Sequence, residues 1–553
     1  MKSHQRPEIV TLLVALFVLA ALNVPFWRAL LRAVDPASAY EWLFIGAVFA
    51  SAAAAFNLVL ILLPAPRTFK VIVMPLLAVT AAASYYMGEY GILIDRHMVQ
   101  NIFETNTAEA GDLMSATMVV YVAALGVFPA WLLWRSPIAS RPWNVDLAAK
   151  SRAALASVVV FALAVAPFYM NFTSVFREHG ELKHALTPVN YISATAKYFG
   201  KNRHGALAAV ATFGADARRS PAAVAAHRKS VTVIVIGETA RADHFSLNGY
   251  QRETNPELSK IEGLINYPSV YSCGTDTAQS VPCMFSGMGR AKFSSDIALR
   301  QEGLLDILQR SGVSVLWREN QSGCKGTCQR VTTEIMTGQT LVPFFDNGEI
   351  HDEILLSGLE DKIAAFPADG VIVLHMMGSH GPAYYKRYLK EFERFTPACQ
   401  ESQFSRCTNE AIVNAYDNSI LYTDHVLAKL IALLEASDKK GVAASMYFVS
   451  DHGESLGESN LYLHGMPYAI APEVQKHVPM VVWLSENLKR DRGVDAGCLA
   501  ARNRDPLSHD NLFHSVLGLA GVETNIYDKS LDIFAPCRSP AGAQAGTDAA
   551  VVR

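Results

Sequence analysis

The chain has 553 residues, too many for a single compact domain of about 150 residues. Its hydrophobic share of 51% is high, and its charged share of 18% falls below the roughly 25% of a typical soluble domain. A net charge of −3 excludes a bulk electrostatic partner, so no nucleic acid is expected.

The long apolar runs lie in the first third. Segments 9–27, 41–63, 71–87, 115–134 and 153–170 each approach the roughly 20 residues that cross a bilayer as a helix. The first is followed by four more, so it is read as an anchor rather than a cleaved signal. Five spans put the two chain ends on opposite sides. With the N-terminus inside, the inner segments carry Lys2, Arg6, Arg67, Lys70, Arg135, Arg141, Lys150 and Arg152, while the outer loops carry Arg28, Arg32 and Arg96. That excess inside orients the chain N-in and C-out, with everything after about residue 171 exported.

All eight cysteines fall in the exported part. An even number at short spacings in an oxidising compartment reads as disulfides, here Cys273–Cys283, Cys324–Cys328, Cys399–Cys407 and Cys498–Cys537. Zinc binding by Cys324 and Cys328 is the alternative, but no second thiol pair stands at finger spacing. Residues 171–203 read as helices near the membrane, and the Ala-rich stretch 204–230 as a linker.

A different pattern begins at VTVIVIGET, a β-branched run ending in Gly and polar residues, as buried parallel strands do. Similar runs recur at 313–317, 370–377, 444–450 and 477–484, with helical stretches such as 411–436 between them. Alternating strand and helix predicts an α/β sheet covered on both faces. The tail after Cys537 is small and polar and reads as disordered.

Functional groups in open α/β sheets gather at the carboxyl ends of strands. Three predicted strand ends carry such groups: Gly237-Glu238-Thr239, Asp451-His452-Gly453-Glu454, and Gly378-Ser379-His380-Gly381-Pro382. Glu238, Asp451 and His452 form a mixed oxygen and nitrogen set suited to Zn²⁺, with His464 twelve residues beyond His452. An Asp-His dipeptide is also a common turn. In CGTDTAQSVPC, residues 273–283, a threonine hydroxyl needs a base or a metal to act as a nucleophile. If Thr277 opens a helix at the same sheet edge, it supplies a fourth zinc ligand, and the helix N-terminus favours a phosphate. A Cys273–Cys283 bridge holds that turn, with a loop-closure contribution of about 2.5–3 kcal/mol. The bland alternative is an N-capping threonine in a stapled loop.

GETARADHFSLNGY, SCGTDTAQSVPCMFS, SGCKGTC, GSHGPAYYKRY, SDHGESLGE and YLHGMPY resemble the signature segments of the membrane-bound phosphoethanolamine transferases. That family decorates lipid A and includes polymyxin- and colistin-resistance enzymes. The resemblance covers essentially the whole chain. It implies a five-helix transmembrane domain at 1–170, bridging helices and linker at 171–230, a periplasmic catalytic domain of alkaline-phosphatase-like α/β fold at 231–537, and a tail at 538–553.

Carried over residue by residue, the resemblance implies a zinc site of Glu238, Thr277, Asp451 and His452, with one or two Zn²⁺ ions and Thr277 as the residue that becomes phosphoethanolaminated. Ser322, Lys325, His380 and His464 match positions that bind the phosphoethanolamine group or a second zinc. His380 or His464 is the candidate proton donor. Asn101, Thr105 and Glu109 match residues that meet the lipid head group. Their spacing of four puts them on one helical face, as in an ordinary amphipathic interfacial helix too. Thr275 and Ser280 are taken as structural, and the acidic Asp276 has no assigned effect.

The implied activity is transfer of phosphoethanolamine from phosphatidylethanolamine to lipid A or lipopolysaccharide, releasing diacylglycerol, by a monomer in the inner membrane. Rivals are another envelope acceptor (core heptose, Kdo or a glucan), a sulfatase, phosphodiesterase or glycerol-phosphate transferase of envelope polymers on the same fold, and a non-catalytic lipid-binding sensor. The spans contain few charges, which argues against a transporter.

Overall fold

A computed structural model of the chain describes residues 5–64, 66–105, 107–202, 210–337, 343–346 and 349–539. The expected disordered tail lies, from residue 540 on, outside the described residues. The chain divides into two units: Met1–Val99 with Leu113–Phe199, and Gln100–Asp112 with the residues from Gly200 on.

The first unit opens with α1 (Pro7–Ala21) and α2 (Val24–Val34), followed by α3 (Ala39–Ile61) and α4 (Pro66–Tyr90). Among the described residues, α3, α4, Ala116–Arg135 and Trp143–Glu178 are long and apolar enough to cross a membrane. The expected first span at 9–27 is not one straight helix. α1 and α2 meet at a bend of 62° and together count as a fifth span at most. The cause lies in Asn23 and Pro25. Asn23 Nδ2 donates to Val18 O at 3.0 Å and to Thr187 O at 2.9 Å, and Asn23 Oδ1 accepts from Thr187 N at 2.8 Å. The amide thus satisfies backbone groups that a break would otherwise orphan, and Pro25 sits in the first turn of α2, where its missing N–H costs nothing. Gly126 lets Ala116–Arg135 lie against α4: a Cβ there would stand 2.9 Å from Ala78 Cα, a close approach of the kind membrane helices use.

The second unit holds an eight-stranded sheet. Its strands are β1 (Ser230–Gly237), β2 (Ile265–Tyr271), β3 (Ser314–Glu319), β4 (Thr332–Ile335), β5 (Gly370–His375), β6 (Ala443–Ser450), β7 (His477–Leu484) and β8 (Leu507–Ser508), in the order β8-β2-β7-β6-β1-β5-β3-β4. β1 and β6 are buried at every residue, as central strands covered on both faces must be. β4, β3, β5, β1 and β6 run parallel. β7 runs antiparallel to β6 and to β2. β2 contains Pro268, which lacks a ladder donor, and the pairing with β7 shifts register between Val478 and Met480 beside it.

Ile234 and Ile236 of β1 join one core cluster with Val281, Met284 and Phe285 of the helix Thr277–Ser286. Alternation sends Val233 and Val235 to the other face, where the helix Asn409–Lys439 packs against β6. All eight cysteines are paired, as their spacing predicts: Cys273–Cys283, Cys324–Cys328, Cys399–Cys407 and Cys498–Cys537. A thiolate zinc site at Cys324 and Cys328 is therefore ruled out.

Because β1, β6, β5 and β3 are parallel and in register, Gly237 lies beside Ser450, and Ile236 and Glu319 both lie beside His375. Their carboxyl ends open onto one edge. That edge carries the site.

Candidate active site

Thr277 is the first residue of its helix, and the preceding Asp276 caps it by accepting from Gln279 N at 3.0 Å. The loop leading in is fixed by backbone contacts. Gly274 N donates to Ser280 Oγ at 2.9 Å, Thr275 Oγ1 donates to Met466 O at 2.6 Å, and Gly465 N donates to Thr275 O at 2.8 Å. Thr275 and Ser280 thus spend their hydroxyls on the backbone, while that of Thr277 faces the sheet edge.

There Thr277 Oγ1 stands 3.1 Å from Glu238 Oε2 and 3.4 Å from His452 Nε2. His452 Nε2 is 3.3 Å from Glu238 Oε1 and 3.4 Å from Asp451 Oδ2. Its other nitrogen, Nδ1, lies 3.0 Å from Gly453 O and donates to it, so Nε2 is left facing the carboxylates. Asp451 Oδ1 accepts from His452 N at 2.8 Å and from Thr239 N at 3.3 Å. Asp451 Oδ2 is buried without a hydrogen-bond partner.

The electrostatics call for a cation. Burial pushes the Asp451 carboxyl up, and the nearby Glu238 charge adds to this. Burial would also raise Glu238, but the hydrogen bond and charge of His452 hold it well below the usual carboxylate range. Burial disfavours the charged imidazole of His452, yet Asp451 and Glu238 outweigh that and raise it to about 10. Two buried carboxylates thus face one imidazole, which offsets part of their charge. A divalent ion would do the same work, and an unpartnered carboxylate oxygen beside imidazole and hydroxyl is a donor set that suits Zn²⁺. Glu238, His452 and His464 offer ligand atoms within 4.8 Å of one another.

The remaining predicted residues surround this cluster. His464 Nδ1 lies 3.2 Å from Glu454 Oε2, and its ring centroid is 4.3 Å from that of His452. His380 lies with its ring 5.8 Å from that of His464, and its Nδ1 is buried without a partner. Lys325 Nζ donates to Ser322 Oγ at 3.0 Å and sits 3.9 Å from Glu104 Oε2. Glu104 ends α5 (Arg96–Glu104), which carries Asn101, and Thr105 Oγ1 donates back to Asn101 O at 2.5 Å. α6 (Thr107–Asp112) begins anew, so the expected single helical face through Asn101, Thr105 and Glu109 is broken after Glu104. The carbonyl of Asn101 takes both the N–H and the hydroxyl of Thr105 and closes the helix there. The Glu109 side chain lies outside the described residues.

The family model described as Phosphoethanolamine transferase EptA/EptB matches residues 52–203, and the Sulfatase model matches residues 230–522. Phosphoethanolamine transferase EptA of Escherichia coli (strain K12) is 42% identical over 532 residues, covering 95% of this chain and 96% of its own. Phosphatidylethanolamine transferase Mcr-1 of Escherichia coli is 35% identical over 528 residues, covering 93% and 95%. The chain belongs to the phosphoethanolamine transferase family. Among solved structures, the integral membrane protein lipooligosaccharide phosphoethanolamine transferase A (EptA) from Neisseria meningitidis superposes with a TM-score of 0.93 at 33% identity, over 97% of this chain and 100% of that one.

Within this transferase fold, three positioning side chains carry no sequence motif that singles them out. Gln321 Nε2 donates to Glu238 Oε2 at 2.8 Å, and Gln321 Oε1 accepts from Ser322 Oγ at 2.6 Å, so one amide links the cluster to the Ser322–Lys325 turn. It follows a fourth strand end, that of β3, where the run Glu319-Asn320-Gln321 was the available signal. His509 Nδ1 accepts from Cys273 N at 3.0 Å while Nε2 donates to Ser450 O at 2.9 Å, stitching the Thr277 loop to the Asp451 loop. Tyr416 OH donates to Thr239 O at 2.7 Å. Thr239 itself has φ +53°, a left-handed conformation that costs a β-branched residue about 1–3 kcal/mol.

Proposed function

We propose that this protein transfers phosphoethanolamine from phosphatidylethanolamine to a phosphate of lipid A through a covalent phospho-Thr277 intermediate. The observation that carries the proposal is Thr277 Oγ1, 3.1 Å from Glu238 Oε2 at the start of a helix and inside a buried acid–imidazole cluster. The names of the relatives support the donor and the acceptor: Mcr-1 is a phosphatidylethanolamine transferase and the Neisseria protein is a lipooligosaccharide phosphoethanolamine transferase. The apolar helices lie in the bacterial inner membrane, and the second unit faces the periplasm. Both substrates are lipids, so tethering confines the search to a surface.

Glu238, Asp451, His452 and Thr277 Oγ1 would hold Zn²⁺, which lowers the pKa of a hydroxyl and neutralises phosphate oxygens. In the first step Thr277 Oγ1 forms a bond to the donor phosphorus as the bond to the glycerol oxygen breaks. The Thr277 proton leaves to solvent, since Glu238, held well below the usual carboxylate range, is a weak base. The departing diacylglycerol oxygen takes a proton from His464, whose ring is held in place by Glu454 at Nδ1. In the second step a lipid A phosphate oxygen attacks the same phosphorus as the bond to Thr277 Oγ1 breaks, and Thr277 and His464 each regain a proton from solvent. Lys325, held by Ser322, presents a point charge to a phosphate oxygen. His380 completes the wall beside His464. Most of the rate comes from positioning and charge neutralisation.

The test is a mass spectrum of lipid A from cells expressing the chain beside cells expressing Thr277→Ala. A phosphoethanolamine-sized addition in the first alone is expected. No addition in either redirects the acceptor to core oligosaccharide or glucan. An addition in both overturns the role of Thr277.

A further inference from the structure

The turn after β1 is held in a conformation its own residues do not favour. Thr239 is β-branched, buried and left-handed at φ +53°. Its neighbours keep it there. Glu238 O accepts from Ser379 N at 3.0 Å, and Ala240 N donates to Ser450 Oγ at 2.8 Å. On the far side stands Tyr416, fully buried in the helix Asn409–Lys439. Its one hydroxyl donates to Thr239 O at 2.7 Å and accepts from Arg241 N at 2.9 Å, so it grips the turn on both flanks. Gly378 closes the remaining side: a Cβ there would lie 2.8 Å from Glu238 O and 2.9 Å from Glu238 N.

The strained geometry has a consequence for the site. It aims Thr239 N–H at Asp451 Oδ1, which also takes the His452 N–H. Both donors land on one oxygen, and Oδ2 is left buried without a hydrogen-bond partner, 3.4 Å from His452 Nε2. A relaxed Thr239 would withdraw its N–H and free the carboxylate to rotate. Strain that persists beside a functional site persists because the surroundings over-determine it.

We propose that Tyr416 is a positioning residue that clamps the strained Thr239 turn and so presets the Glu238/Asp451 donor pair before a cation arrives. This rests on the cation reading of the site given above. The left-handed basin is unfavourable for threonine and open to glycine. Loss of the clamp should therefore matter in a threonine background and much less in a glycine background.

The experiment uses the full-length protein in lipid nanodiscs and measures Zn²⁺ affinity by competition with a chelator. The samples are wild type, Tyr416→Phe, Thr239→Gly and the double variant. Tyr416→Phe removes the hydroxyl and keeps the ring contacts with Tyr384 and His244. It should weaken zinc binding about tenfold or more in the threonine background, as loss of an outer partner does. In the glycine background the same step should cost no more than about threefold, a clear coupling between the two sites.

Equal losses in both backgrounds, or no loss in either, overturn the clamp. Wild type that binds no zinc overturns the cation reading and this proposal together, a result distinct from the others. If Tyr416→Phe does not fold, a crystal structure of zinc-free wild type decides: Thr239 at positive φ supports the clamp, and Thr239 relaxed to negative φ overturns it.

Discussion

The four-residue cluster and the ring of residues around it are held in different ways. Glu238, Thr277, Asp451 and His452 are buried and leave directly from strand ends or a helix start, and their flanking backbone is pinned to neighbouring strands. Ser322, Lys325, His380 and His464 are half-buried on longer loops, each fixed by a few side-chain contacts. Rigid strand ends suit chemistry that tolerates little misplacement, while loops suit recognition of varied lipid substrates. The inner set should therefore control the chemical step and the outer set the binding of lipid.

Substitutions can break that division. The largest effect expected is from Thr277→Ala, which should lower transfer by at least about 10³-fold while the fold survives, because the proposed covalent step has no other nucleophile. Activity within tenfold of wild type in a lipid product assay would remove the threonine from the mechanism. His464→Ala lies at the boundary and should cost about 10²-fold in kcat, the usual scale for a lost general acid. A donor with a better leaving group should recover much of that loss, and a defect insensitive to the leaving group would make His464 a binding or metal residue instead.

Lys325→Ala should raise KM for the donor about tenfold with kcat nearly unchanged, the mark of uniform binding lost. If its kcat falls as steeply as that of His464→Ala, the outer set is not merely a binding rim.

The smallest effect is on stability. His509 is pushed down to about 4, chiefly by burial and further by the nearby His452 charge, against the Ser450 carbonyl bond that favours protonation. The unfolded imidazole titrates near 6.5, so between about 6.5 and 4 the unfolded chain binds a proton that the folded chain refuses. Neutral His509 thus contributes stability in full above that window, and the contribution is lost as pH falls through it. In His509→Gln the fall in melting temperature over that range should be shallower than in wild type. An identical slope would show that the buried bridge from Cys273 to Ser450 is not a neutral imidazole.

The sequence carried the parts of this architecture that depend on local pattern. β1, β3, β5, β6 and β7 stand out as β-branched apolar runs, and the cysteine pairs follow from spacing and compartment. β2 does not stand out, because Asn266, Pro268 and Ser269 interrupt its apolar pattern. That β7 is antiparallel is invisible as well, since side-chain period carries no direction. In the first unit, hydropathy locates the apolar runs but not the bend at Asn23, which depends on a partner at Thr187 far along the chain. The same division holds at the site. The residues at strand ends are legible beside their Gly-rich turns, whereas Tyr416 acts from a helix and His509 from the turn before one, through hydrogen bonds to backbone that only the folded chain brings near.

The most direct measurement is tandem mass spectrometry of the wild-type protein after incubation with phosphatidylethanolamine and no acceptor. A phosphoethanolamine-sized mass is expected on Thr277 and should disappear when lipid A is added. Full turnover with an unmodified Thr277 peptide, or the mass on Thr275 or Ser280 instead, would contradict the covalent role of Thr277.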